Sequence, residues 1–261
     1  MSTDRRFDAS FREQQLARFR VSVLKQAKWR ELSRAAGATN NLRALDVGTE
    51  NGVIGLLFRE HGGQWTSADA APESVRAIGR TLGEPVTELH GARLPFPDAS
   101  FDLIIIADLL EHVEDDRGLL AEVARCLAVG GRAILNVPRL KPWGLLRPVR
   151  RALGLTDEWH GHLHAGYDER SLRSMLPPTL RLTGTRSYVR FFSYALDTAL
   201  NVAAVRATRA AGADEGRPVS AAVRRMYPAM RAFAALDALL PFTNGYMLVA
   251  TVERTPFPTM S

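Results

Sequence analysis

The chain has 261 residues, 46% apolar, 24% charged and 8% aromatic, a balance that excludes disorder and fibrous structure and suits one α/β domain with additions. No apolar run approaches the ~18 residues of a membrane span, the opening MSTDRRFDASFREQQ has no apolar signal core, and the single Cys126 excludes a disulfide framework or a cysteine-built metal site, so a cytoplasmic location is expected. The net charge of +6 is uneven: residues 1–41 hold 9 Lys/Arg and 4 Asp/Glu, residues 42–138 hold 8 and 15, and residues 139–261 hold 17 and 9. Basic flanks around an acidic middle fit ordinary solvated helices, or contact with an anionic membrane surface at its inner face, a phosphorylated substrate or nucleic acid.

In chain order, residues 10–36 read as one helix with Leu16, Phe19, Val23 and Ala27 on a face. Leu42–Val47 is a short strand ending at Gly48, and Gly52–His61 has helical spacing stopped by Gly62-Gly63. Gln64–Asp69 is a second strand. Pro72 then opens a helix to Leu82 with Pro and an acid in its first turn, and Val86–Leu89 is a third strand. After the turn cluster Pro95–Ser100, Phe101–Ala107 contains Leu103-Ile-Ile-Ile106, the pattern of a central strand buried on both faces. Asp115–Ala128 reads as a helix capped by Gly130-Gly131, and Arg132–Val137 as a fifth strand closed by Pro138. This alternation implies βαβ units and a parallel sheet. Beyond it lie a basic stretch, Lys141–Leu153, a helix over Asp168–Leu176, a sixth strand over Leu180–Val189, helices over Phe191–Ala211 and Val219–Leu240, and a last strand over Met247–Val252.

The chemistry gathers in Asp46-Val-Gly-Thr-Glu-Asn-Gly52, between the first strand and its helix. Glycines there let backbone approach a ligand, and free N–H groups at the helix start favour a polar or anionic ligand part. Asp69 ends the second strand, 17 residues after Gly52, where an acid can take both hydroxyls of a ribose. Two glycines instead of three make this loop a weak signal by itself, open also to the reading of a tight turn with an incidental acid.

Taken together, Ala44-Leu-Asp-Val-Gly48 with Gly52, Asp69, Leu94-Pro-Phe-Pro-Asp-Ala-Ser-Phe-Asp102, Leu110-Glu-His-Val113, and Gly130-Gly131 before Arg132-Ala-Ile-Leu-Asn-Val-Pro138 resemble the class I S-adenosylmethionine-dependent methyltransferases, in the branch that methylates small molecules, quinones and lipids. The resemblance covers residues 42–138 strongly and the remainder weakly. It implies a doubly wound, mostly parallel seven-stranded Rossmann-like α/β sheet, with an N-terminal helix, a helical insertion before the last strand, and that strand antiparallel. The expected parts are an N-terminal helical segment (1–41), a cofactor-binding core (42–138), a lid segment with the sixth strand (139–190), a helical insertion (191–245), and the last strand and tail (246–261). By the same resemblance, Asp46, Gly48 and Gly52 line the methionine end of S-adenosyl-L-methionine, Asp69 with Ala70 holds the ribose, and Ala107 and Asp108 face the methyl group. Two positions depart from the family pattern. Glu50 stands where a third glycine is usual, either bonding the cofactor's ammonium or blocking the site. His90-Gly-Ala-Arg93 lacks the usual adenine-capping acid, leaving the backbone of Gly91 and Ala92 for that task.

Methyl transfer asks the protein chiefly to position a nucleophile, and a base only where the nucleophile carries a proton of high pKa. Candidate catalytic groups are His112, which reads equally as a packing histidine, and, within the cluster His160, His162 and His164, His162 or His164 ahead of His160, with Tyr167 to orient either; the cluster reads as a substrate-facing lid or as a solvated loop. No metal is expected. The apolar stripes Phe191, Phe192, Leu196, Leu200 and Val223, Met226, Tyr227, Met230, Phe233 suit packing on the sheet or on a partner subunit, as in a homodimer. With Arg206, Arg209, Arg217, Arg224, Arg225 and Arg231 beside them, they also suit an anionic membrane and a greasy roof over a lipid-linked substrate. The expected activity is therefore methylation of a small or lipid-linked metabolite, with S-adenosyl-L-homocysteine as product. A cofactor-free scaffold is the alternative, and an RNA methyltransferase a lesser one: the fourth strand ends in Ala-Asp-Leu-Leu-Glu-His, not in a proline–aromatic grip for a nucleobase.

Overall fold

The computed structural model describes residues 8–49, 51–140, 163–211, 219–240 and 244–256; Glu50, His160, His162, most of the basic stretch after Arg139 and the 212–218 connection lie outside them, as do the side chains of Arg206 and Arg209. Seven strands form one sheet: β1 (Arg43–Val47), β2 (Gln64–Asp69), β3 (Val86–Glu88), β4 (Phe101–Ala107), β5 (Leu127–Pro138), β6 (Leu180–Tyr188) and β7 (Met247–Arg254). Their order is β3-β2-β1-β4-β5-β7-β6. The pairs among β1 to β5 are parallel, and β7 runs antiparallel between β5 and β6.

The helices are α1 (Ala9–Arg20), α2 (Val23–Ala36), α3 (Val53–Glu60), α4 (Pro72–Leu82), α5 (Asp116–Cys126), α6 (Glu169–Met175), α7 (Phe191–Ala211) and α8 (Ala221–Ala235), with short 3₁₀ turns at Leu110–His112 and Leu236–Leu239. Strand β4 shows why the sheet is covered on both sides. Ile104 and Ile106 enter one core with Leu119, Leu120 and Val123 of α5. Leu103, Ile105 and Ala107 enter the other with Leu32 of α2 and Phe58 of α3. Each fully buried isoleucine contributes about 1.5–3 kcal/mol of apolar transfer, so this one strand welds both layers. Among the described residues, no helix is long and apolar enough to cross a membrane.

Three elements differ from the sequence expectation. The N-terminal stretch is two helices, because Ser22 turns extended and its hydroxyl accepts the N–H of Lys25 at 3.2 Å, capping α2. Leu16 and Phe19 therefore do not share a helix with Val23 and Ala27. Gly130-Gly131 does not cap α5, which ends at Cys126. The pair lies inside β5, where the register with β4 slips between Phe101 and Leu103. A Cβ on Gly131 would stand 2.8 Å from the Ala128 carbonyl oxygen, so the bulge leaves no room for a side chain. The second insertion helix stops at Ala235 and tightens into a 3₁₀ turn.

Candidate active site at the carboxyl ends of the parallel strands

The loop after β1 is shaped by its own fold. Gly48 has φ +77°, and a Cβ there would lie 2.3 Å from the Ala107 carbonyl oxygen and 3.0 Å from Leu109 Cβ. Gly52, with φ +81°, opens α3, and its Cβ would meet Ile78 Cα of α4 at 3.1 Å. Sequence reasoning gave both glycines to ligand approach. The structure shows a demand from the protein's own backbone, against β4 at one position and α4 at the other.

Asp46 is fully buried at the base of this loop. Its carboxylate accepts from the Arg59 guanidinium at 3.0 Å, the Ser67 hydroxyl at 2.9 Å and the Thr49 hydroxyl at 3.1 Å. Burial pushes its pKa up, while Arg59 and the two hydroxyls pull it down. Asp46 thus ties β1, β2, α3 and the loop together.

Asp69 closes β2, buried, with Oδ1 accepting the Ala71 N–H at 3.0 Å. Burial raises its pKa against the backbone N–H groups of Ala71 and Ala70. Ala70 is half-buried beside it. Gly91 is exposed, with φ +66° and open space where a Cβ would sit, and Ala92 packs half-buried on the core. A buried carboxylate at a strand end, next to an open glycine turn, suits a ribose with a planar base beyond it. The methionine end is tighter. Phe19, Lys25 and Lys28 descend on Gly48, Thr49 and Ala107, leaving a void of about 10 Å³, room for about one water. A methionine chain is larger than this void, so seating one there requires Phe19, Lys25 or Lys28 to move.

A polar chain leads away from this point. Lys28 of α2 is ion-paired with Asp108, which follows β4 with φ +52°. Asp108 also accepts from the Asn136 amide at 2.5 Å, and Asn136 accepts from the Tyr188 hydroxyl at 2.7 Å. Beside Asp108, Glu111 is buried, and its Oε2 has no hydrogen-bond partner among the described residues. Burial, and then the neighbouring Asp108 charge, push its pKa up to about 8.

Sequence reasoning pointed to His112, which the 3₁₀ turn leaves exposed, and missed Glu111, which the same turn faces inward. The available signal was an acid embedded in the apolar run Leu109-Leu-Glu-His-Val113. His164 is half-buried, its Nε2 3.0 Å from the Val113 carbonyl oxygen and 3.7 Å from Asp116. The buried Tyr167 hydroxyl lies 3.2 Å from the Leu110 carbonyl oxygen and 3.1 Å from Asp116. Both side chains dock the returning chain onto the 110–116 segment, and neither reaches Asp108. His162 lies outside the described residues.

Comparison with known proteins places this geometry. Residues 45–135 match the methyltransferase domain family. The chain is 30% identical over 119 residues to a demethylmenaquinone methyltransferase of Tropheryma whipplei strain Twist, an alignment covering 44% of this chain and 50% of that one. The matches thus span about half the length of such curated relatives. In three dimensions the chain resembles an S-adenosylmethionine-dependent methyltransferase from Mesorhizobium loti, with a TM-score of 0.57 and 16% identity over 87% of this chain and 98% of the other. It also resembles the [4+2]-cyclase SpnF, with a TM-score of 0.57 and 19% identity over 88% of this chain and 82% of that one. At such identities the structural likeness speaks for the fold, and the family match is to a methyltransferase domain over residues 45–135, the stretch that holds the loop after β1, Asp69 and the end of β4.

Proposed function

We propose that this protein transfers a methyl group from S-adenosyl-L-methionine to a small or lipid-linked metabolite, releasing S-adenosyl-L-homocysteine. The observation that carries this reading is Asp69, a buried carboxylate at the end of β2 facing the loop that Asp46 and Gly48 shape. Its likeness to quinone-methylating relatives supports an acceptor of that class. The cofactor supplies an electrophilic methyl group. Asp69, with Ala70, holds the ribose hydroxyls, the backbone of Gly91 and Ala92 meets the adenine, and the loop from Gly48 through Glu50 to Gly52 meets the methionine end. Ala107 and Asp108 line the methyl-bearing side. Lys28, Asp108, Asn136 and Tyr188 hold the wall between cofactor and acceptor, and Glu111, whose pKa burial and the Asp108 charge raise to about 8, is the neighbouring acid able to exchange a proton.

Helix α8 supports action at an anionic membrane face. Met226 and Phe233 are exposed on it, Leu239 just beyond it, and the exposed Arg224 and Arg225 directly precede Met226. Binding to anionic vesicles that disappears at high salt is the expected result.

Calorimetric titration with S-adenosylhomocysteine tests the central reading. Binding by the wild type, weakened about ten- to a hundredfold in Asp69→Ala through loss of charge-assisted hydrogen bonds, is expected. Absence of binding by folded protein would make the cofactor-free scaffold the better account, a reading favoured by the closed void at Gly48 and Ala107.

A further inference from the structure

A second and larger cavity, of about 810 Å³, opens on the far flank of α2. It lies between α2, the ends of β6 and α8, and falls within the 300–1,000 Å³ typical of small-molecule sites. Five arginines line it, Arg30, Arg139, Arg186, Arg190 and Arg231, and they come from four separate stretches of chain, with Arg186 and Arg190 on one.

The three carboxylates in the lining, Glu31, Glu169 and Asp237, are already engaged. Glu31 is buried and shared by Arg34 at 2.8 Å, Arg186 at 2.8 Å and Arg30 at 3.7 Å, so one negative charge faces three guanidiniums. Asp237 accepts the backbone N–H groups of Arg190, Phe192 and Ser193 at 3.0, 2.8 and 3.3 Å, capping the start of α7. Glu169 bonds Arg173 and the Thr185 hydroxyl. Neither Arg139 nor Arg231 has a carboxylate within ion-pair distance among the described residues: Arg139 donates to Asn244 at 3.2 Å once that amide is turned to present its oxygen, and Arg231 lies over the Tyr227 ring at 6.0 Å. Glu31 therefore serves Arg30 and Arg186, while Arg139, which feels the Asp168 charge only at longer range, and Arg231 keep planar, bidentate donors for an added anion.

Its position ties it to the reaction. Arg139 follows the end of β5 and Arg190 the end of β6, the edge on which ligands of open α/β sheets bind. Tyr188 forms part of its wall and starts the hydrogen-bond chain through Asn136 to Asp108.

We propose that this cavity seats the phosphate or diphosphate group of the methyl acceptor, with Arg139 and Arg231 as its principal ligands. The assignment to an acceptor rests on the methyltransferase reading. The volume exceeds that of a lone phosphate, so the anion is one end of a larger molecule whose body lies along Val23, Ala27 and Leu248.

Calorimetry on the full chain separates the two claims. S-adenosylhomocysteine is titrated first, then pyrophosphate and dihexanoyl phosphatidic acid, on wild type, Arg139→Gln, Arg231→Gln and a control, Arg76→Gln, on exposed α4. Expected is anion binding by wild type and by the control, weakened about ten- to a hundredfold in each cavity variant, with cofactor affinity and melting temperature unchanged in all. Preference for the phosphatidic acid would identify a lipid headgroup, and equal affinity a soluble phosphate ester. Cofactor binding without anion binding, or equal weakening in the Arg76 control, overturns the cavity assignment and leaves the methyltransferase reading standing. Loss of cofactor binding in the wild type overturns that reading, and the acceptor assignment with it.

Discussion

Lys28 on α2 is ion-paired with Asp108 at the end of β4, both largely shielded from solvent, so α2 is fastened beside the loop proposed to meet the cofactor. Replacing Lys28 by Ala leaves Asp108 half-buried with one partner fewer. Stability should fall by about 1–3 kcal/mol, while S-adenosylhomocysteine associates faster because α2 opens more often. Denaturant titration and stopped-flow binding read the two effects, and slower association would show that α2 is no gate.

The two aspartates of the cofactor region should separate cleanly. Asp46→Asn weakens the partner of the mostly buried Arg59 and should cost about 3–5 kcal/mol in stability. Asp69→Ala, whose carboxylate bonds only nearby backbone, should leave the melting temperature within a few degrees of wild type and act on cofactor affinity instead.

Gly48→Ala should be poorly tolerated, since both its φ of +77° and the 2.3 Å approach to the Ala107 carbonyl oxygen oppose a Cβ. Gly91→Ala meets no atom and carries only the cost of a positive φ, about 1–2 kcal/mol. Thermal unfolding of the pair measures the difference, and equal losses would refute it.

Glu111 should make stability fall with rising pH. Its folded pKa, about 8, lies above the ordinary 4.5, so the folded state keeps a proton that the unfolded state has released. Its contribution is full below pH 4.5 and is lost as pH rises toward and through 8, by about 2–5 kcal/mol in all. Glu111→Gln should flatten that slope and melt higher than wild type at pH 8.5. An unchanged slope would assign the pH dependence to other groups.

What local sequence determined is the alternation of strands and helices and the placement of chemistry at strand ends. Leu103-Ile-Ile-Ile106 suits a strand covered on both faces, Phe191–Ala211 has helical spacing, and Asp69 falls at the end of a run that reads as a strand. These features depend on neighbours a few residues apart, where periodicity and backbone preference act directly. Tertiary structure decided the rest. A 3₁₀ turn, not a longer helical phase, chose Glu111 over its neighbour His112 for burial. A β-bulge put Gly130-Gly131 within β5 because Leu127 already pairs with Phe101. Arg30, Arg139, Arg186, Arg190 and Arg231 read as scattered surface charge along the chain. They become one cavity because β7 inserts antiparallel beside β5, carries β6 to the sheet edge, and brings α8 against α2. Such convergence depends on strand order and helix packing across 200 residues, which no local pattern encodes.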